Sequence, residues 1–414
     1  MPVLIASLHG DPIGGESPSR HVSWLSLPIA VGAAWARLAA EGVDDVEAYT
    51  VPLALALLVA GGLVTWRRTA PSTRSPGRTA LFASAAAVLV LPSVASSTES
   101  ELRTLVLVAA GTVVAIAAAF LPEAARGVPI RLLGVATGWT ALTGAALVRG
   151  SAVAVREASV LPVEFWPALA LAAGVVVAVT WARSGSHPAW FAESLLAGSI
   201  VAATVPTVLA ILAGVDSLAR AAVLFPVLAV LHVTSTAIRR RPFTGPLIQW
   251  TTLGVLVIGG ITTLAAERVD PFDIVTASIA AALIGAGAIR MGRDAELGSW
   301  RELGPGLAVL LLPALVADFL DPELWRNVTL GVVAVTVVVI GAVRRLQAPL
   351  LLGGGVLLAH AIVQLWPWIT KLYEDVWWWL WLGLAGVLLV ALAATYERQL
   401  RLARSVARTI AALR

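Results

Sequence analysis

The chain has 414 residues, of which 58% are hydrophobic and 13% charged, with a formal net charge of +4; its mean hydropathy is +0.87. A water-soluble domain carries about twice that charged fraction, so a soluble fold is excluded. Cysteine is absent, which excludes disulfides, thiol nucleophiles and Cys-ligated metals.

Residues 1–22 form a polar segment. It lacks the positively charged and then apolar order of a cleavable signal peptide. Apolar runs then follow one another, each long enough to cross about 30 Å of hydrocarbon. In chain order they predict spans at 23–40, 48–66, 78–98, 101–121, 129–148, 162–182, 190–214, 216–237, 244–265, 271–290, 303–321, 325–343, 348–370 and 376–396. In lipid the backbone must satisfy its own hydrogen bonds, so each run is read as a helix. The expected fold class is therefore an all-α polytopic membrane protein with about fourteen transmembrane helices.

A repeated pattern groups these spans. In each copy a first helix carries a late proline, an acidic turn follows, a third helix opens on a proline, and the fourth ends in basic residues. The marker prolines are Pro92, Pro206 and Pro313 for the first helix and Pro129, Pro246 and Pro349 for the third. Val90-Leu91-Pro92-Ser93 matches Leu311-Leu312-Pro313-Ala314, and Pro129-Ile130-Arg131-Leu132-Leu133-Gly134 matches Pro349-Leu350-Leu351-Leu352-Gly353-Gly354. The reading is a half repeat at 23–66 and tandem four-helix repeats at 78–183, 190–290 and 303–398, followed by a basic tail at 399–414.

Sorting charge by alternate loops places 21 Arg/Lys and 8 Asp/Glu on the side of the N-terminus, against 8 and 17 on the other, so net charges of +13 and −9 make up the +4. By the positive-inside rule both termini are cytoplasmic. The expected location is a bacterial plasma membrane. The basic pI belongs to this one face and points to no nucleic acid. Arg398, Arg401, Arg404 and Arg408 recur at helical spacing in the tail, where anionic lipid is the expected partner and a protein the alternative.

Ionisable residues within spans mark function, because charge in lipid is costly. His360 and Gln364 lie one helical turn apart and share a face. They read either as a proton or substrate site or as two polar groups bonding to a neighbouring helix. Imidazole is the side chain suited to proton exchange near neutral pH. Trp366, Trp368, Trp377, Trp378, Trp379 and Trp381 flank one outer turn. They read as an aromatic belt, with stacking on a sugar or polyprenyl headgroup as the alternative. Pro92, Pro206 and Pro313 should each kink a helix. Gly134 and Gly138 form a GxxxG spacing suited to close helix contact. Glu193, Arg131 and Asp273 sit at span starts, where snorkelling to water is cheap, and Asp318 and Arg326 flank an outer turn. HExxH, GxSxG in a strand–turn–helix context and a phosphate-binding loop with lysine are all missing. No catalytic residue, metal or cofactor is therefore expected.

Leu303-Gly304-Pro305-Gly306, Leu311-Leu312-Pro313, Leu346-Gln347-Ala348-Pro349 and Ala393-Ala394-Thr395-Tyr396-Glu397-Arg398 carry a further likeness. Through them, the stretch from roughly residue 300 to 400 resembles uncharacterised actinobacterial multi-pass integral membrane proteins with tandem four-helix repeats, often described as permeases. Members of that family are longer, so the half repeat would fit a shortened relative. The resemblance brings no activity with it and no functional residue to carry over. The expected function is transport or export of a hydrophobic or lipid-linked substrate. The alternative is a non-catalytic scaffold or assembly subunit of an envelope complex, bound to other membrane proteins. The topology has a direct test. Single cysteines at Ser100, Ser217 and Asn327 should react with an impermeant thiol reagent in intact cells, whereas cysteines at Ser75, Ser186 and Gly292 should not. Reversed labelling would overturn the orientation.

Overall fold

The computed structural model describes residues 19–67, 76–123, 128–156, 161–185, 188–238, 245–266, 272–294, 296–320 and 323–375, with a few scattered positions between 380 and 390. Thirteen long helices are described: α1 (Ser19–Ala40), α2 (Val46–Arg67), α3 (Pro76–Ala95), α4 (Glu101–Ala119), α5 (Ile130–Arg156), α6 (Phe165–Arg183), α7 (Ala189–Leu212), α8 (Ser217–Ala237), α9 (Pro246–Ala265), α10 (Phe272–Arg293), α11 (Gly304–Leu320), α12 (Leu324–Arg344) and α13 (Gln347–Asp375). They fall in order on the first thirteen expected spans. Ten contain stretches long and apolar enough to cross a membrane, while the apolar stretches Ile29–Ala40, Val46–Gly62 and Gly304–Leu320 are shorter. The expected span at 376–396 lies mostly outside the described residues, as do the polar start up to residue 18 and the basic tail.

The outward faces are those of a protein in lipid. Val223, Val227 and Val230 on α8, and Val328, Val332, Val335 and Val339 on α12, are all exposed. Contiguous apolar surface on this scale is unfavourable in water. Hydroxyls along the helices turn inward to their own backbone, as in Thr112 Oγ1 to the Val108 carbonyl at 2.7 Å and Thr143 Oγ1 to the Trp139 carbonyl at 2.7 Å. That satisfies each hydroxyl without a neighbour.

Two compact units divide the chain, one holding Met1–Arg220 with parts of α9, the other Ala221–Ile238, part of α9 and the remainder. In the first unit, α4 and α5 meet backbone to backbone. A Cβ at Gly111 would lie 2.6 Å from the Gly138 carbonyl oxygen and 2.9 Å from the Leu142 nitrogen, and one at Gly134 would lie 2.6 Å from the Ala118 methyl. A Cβ at Gly138 would strike both the Gly111 carbonyl and Ala115. The GxxxG spacing thus sits at a helix contact too tight for any side chain. Farther along α5, Trp139 Nε1 donates to the Leu195 carbonyl at 3.0 Å and lies 3.1 Å from Ser199 Oγ, pinning α5 to α7. Trp166 and Trp181 are fully buried, the latter edge-on to Phe191 at 4.8 Å. In the second unit Gly306 of α11 packs against Ile284 of α10, and Gly341 of α12 lies against Leu350 of α13.

Polar pins join the acidic turns to the helices. Arg103, at the start of α4, reaches Glu47 at 3.0 Å and Asp45 at 3.6 Å. Arg149 donates to the Thr98 carbonyl at 2.7 Å and to Glu101 at 3.0 Å. The fifth span is expected to end at residue 148. Instead α5 runs on to Arg156, because Arg149 is held by the α3–α4 turn and a Cβ at Gly150 would lie 3.0 Å from Pro206. Arg220 donates to Glu164 at 2.7 Å. Partial burial pushes the Glu164 carboxyl up, but a backbone hydrogen bond and the Arg220 guanidinium outweigh this and hold it below its ordinary range. Glu193, expected to reach water, is instead buried, with its carboxyl against Gly245. Pro92, Pro206 and Pro313 each stand inside a helix that continues past them.

The α4–α5 contact should resist substitution. Gly138→Val is expected to lower stability by about 1–3 kcal/mol, the cost of overpacking, in denaturant titrations of the purified chain in detergent. Gly254→Ala, where a Cβ meets nothing within 4 Å, should be neutral. Equal behaviour of the two variants would refute the contact.

Candidate functional site

The deepest polar constellation of the second unit is built by three consecutive helices. Asp318 lies in the last turn of α11, Asn327 in the first turn of α12, and His360 and Gln364 on one face of α13. Asp318 enters an apolar helix because Ala314-Leu315-Val316-Ala317 and Phe319-Leu320 flank it with hydrocarbon, and it faces inward. Its side chain is 0% exposed and that of His360 11%. His360 Nδ1 lies 2.8 Å from Asp318 Oδ2.

Asn327 completes the set. Its partners orient the amide so that the nitrogen donates to Asp318 Oδ1 and to the Glu323 carbonyl at 3.2 Å, while its oxygen accepts from Gln364 Nε2 at 3.0 Å. Both carboxylate oxygens of Asp318 thus have a donor, and the four side chains form one connected network. The contact with Asp318 fixes the ring's orientation, as in sites where a second group aims a histidine.

The other ring nitrogen faces the neighbouring helix. Gly331 of α12 stands opposite it, and a Cβ there would sit 3.6 Å from Nε2. This is the wall of an open groove of about 590 Å³, whose sides are Leu324, Val328, Val332 and Val335 with Asn327, His360 and Gln364 at its polar part. From Leu324 to Thr336 the groove follows thirteen residues of α12, about 18 Å for the twelve steps of 1.5 Å between them. The arrangement can hold an apolar chain along α12 while presenting a fixed imidazole nitrogen and two amides to a polar group.

Of the residues singled out from sequence, His360 and Gln364 are brought together, and each also bonds to a neighbouring helix. Trp366 and Trp368 are exposed on the same helix; Trp377, Trp378 and Trp379 lie outside the described residues, and Trp381 is half-buried. Asp318 and Asn327 are the partners that sequence reading missed. Asp318 and Arg326, expected to flank the same outer turn, do so, but the Asp318 carboxylate bonds His360 and Arg326 stacks on Trp325, 5.5 Å from the ring centre. The available signal was a lone acid with apolar residues on both sides inside Ala314–Leu320. No group of three or more His, Cys, Asp or Glu side chains suited to a metal converges among the described residues. Comparison with family models, curated proteins and solved structures finds no match.

The pair is open to a coupling measurement. Asp318→Ala leaves His360 and Asn327 without their acceptor and should cost about 1–3 kcal/mol in detergent unfolding. His360→Leu should cost a similar amount, and the double variant less than the two losses added. Strict additivity would show that the side chains do not act together.

Proposed function

We propose that this chain moves a hydrophobic or lipid-linked substrate across a bacterial plasma membrane, in the direction of export. The observation that carries the reading is the buried Asp318–His360 pair at the polar part of an apolar lateral groove. The groove's length of about 18 Å is close to the depth of one leaflet, about half of the 30 Å hydrocarbon core. An acyl or prenyl chain fits such a groove from the side. A hydroxyl at its head would meet both His360 Nε2 and the Gln364 amide, and a phosphate oxygen would accept from the Gln364 N–H. Ionisable groups buried within membrane-spanning helices are the usual signature of a substrate or proton path. His360, aimed by Asp318, would exchange the proton. The surrounding frame in this proposal is the full one: fourteen spans with both termini cytoplasmic, arranged as a half repeat and three four-helix repeats, an origin in actinobacteria, and a basic tail on anionic lipid. Charge segregation between alternate loops supports the orientation. The packing of α5 on both α3 and α4, like that of α13 on both α11 and α12, is in keeping with the repeats.

The second reading is a non-catalytic scaffold of an envelope complex. It is favoured by the same network's helix-tying hydrogen bonds, which would serve packing alone.

Reconstitution separates the two. Liposomes containing the purified chain and a fluorescent polyprenyl phosphate, with an imposed pH gradient, are treated with an impermeant quencher. Transport predicts that inner-leaflet probe becomes accessible faster than in protein-free liposomes. His360→Ala should slow this by about tenfold or more, the scale of a lost proton-transfer group, compared at equal amounts of folded, reconstituted protein. Absence of any protein-dependent movement, or full activity of His360→Ala, would favour the scaffold.

A further inference from the structure

The first unit holds a larger cavity, about 1100 Å³, bounded by the α1–α2 turn, α3, α4 and α5. Its volume lies at the upper limit of ordinary ligand pockets, which run to about 1,000 Å³. Two features recommend it. The first is its register. Counted from the acidic residue that opens each helix, Glu101 for α4 and Glu323 just before α12, four of the seven lining positions on each helix coincide. Leu102, Val106, Ala110 and Val114 of the cavity occupy the places of Leu324, Val328, Val332 and Thr336 in the groove of the second unit. The same helical stripe, one residue per turn, walls both spaces, and each runs about 18 Å down its helix.

The second feature is the mouth. In the second unit the polar part of the groove is imidazole and amide. Here it is Asp44, Asp45, Glu47 and Glu99 with the single cation Arg103, which is already engaged by Glu47 at 3.0 Å and Asp45 at 3.6 Å. Asp44 and Glu99 are exposed at the rim. Below the mouth the walls turn apolar, and the far end closes on the Gly111–Gly138 contact, where no side chain fits. Negative potential above a hydrocarbon-lined slot favours an amphiphile with a protonated amine as its head. The guanidinium beside it suits a phosphate one bond series further in.

We infer that this cavity is a second lipid site, taking one chain of a phospholipid whose headgroup carries a primary amine, such as phosphatidylethanolamine. Arg103 meets the phosphate, the carboxylates of Asp44 and Glu99 meet the ammonium, and the acyl chain lies along Leu102, Val106, Ala110 and Val114. An anionic headgroup would place a second negative charge among four carboxylates and is disfavoured. A quaternary choline offers no N–H to them and falls between.

Native mass spectrometry of the full chain, released from nanodiscs of phosphatidylethanolamine, phosphatidylcholine or phosphatidylglycerol in turn, tests this. The expected result is one lipid retained through detergent washing, with phosphatidylethanolamine favoured over phosphatidylglycerol by roughly fivefold, the scale of one surface charge. Ala110→Trp, at an exposed wall position, should remove that lipid while leaving the helical content unchanged. Asp44→Asn with Glu99→Gln should retain a lipid but erase the headgroup preference. The headgroup comparison on the unmodified chain needs no variant to fold. Equal retention of the three lipids, preference for phosphatidylglycerol, or undiminished binding in Ala110→Trp would each overturn the inference. The readout is binding, so it stands or falls separately from transport.

Discussion

Hydrocarbon offers no hydrogen-bond partner to a backbone amide, and the rest of this protein follows from that constraint. Each apolar run must close its own N–H and C=O groups and so becomes a helix. Once helical, its side-chain hydroxyls return to its own carbonyls, as Thr112 and Thr143 do. The helices then have little hydrophobic reason to associate, because lipid tails are as apolar as leucine. What holds them together is close backbone approach and a few polar links.

Both devices are visible, and they occupy different levels of the helices. Gly111, Gly134 and Gly138 bring α4 and α5 together along their length, where dispersion contacts accumulate. Charged and polar pins lie near the acidic turns: Arg103 to the α1–α2 turn, Arg149 to the α3–α4 turn, Arg220 to Glu164, and His360 to Asp318. Three of the four use arginine, whose planar fork can satisfy a carbonyl and a carboxylate together, as Arg149 does with Thr98 and Glu101. The fourth uses histidine, buried with its acid and set beside a groove. That difference sets the His360 pin apart from the three arginine pins.

Two of the pins stand beside open spaces. In the first unit the space beside Arg103 is walled by Gly111 and Gly138 among others, and in the second the groove beside His360 lies against Gly331. Matching positions on α4 and α12 give the two spaces similar apolar walls, while their mouths differ in charge.

Composition and the spacing of apolar runs determined the all-helical class and the order of thirteen helices, because crossing lipid demands length and hydrophobicity that are readable residue by residue. The Gly134–Gly138 spacing, together with the alignment of His360 with Gln364, was also legible, since both depend only on helical periodicity. Tertiary structure alone decided which side chains met. Asp318 stood at the end of an expected span beside an outer turn, and only the packing of α11 on α13 turns it inward to His360. Arg149 looked like the end of a span, and Glu193 like a residue reaching water, until the α3–α4 turn and Gly245 closed over them. Burial of a charge depends on a partner supplied by a distant helix, and local sequence carries no record of which helix that will be.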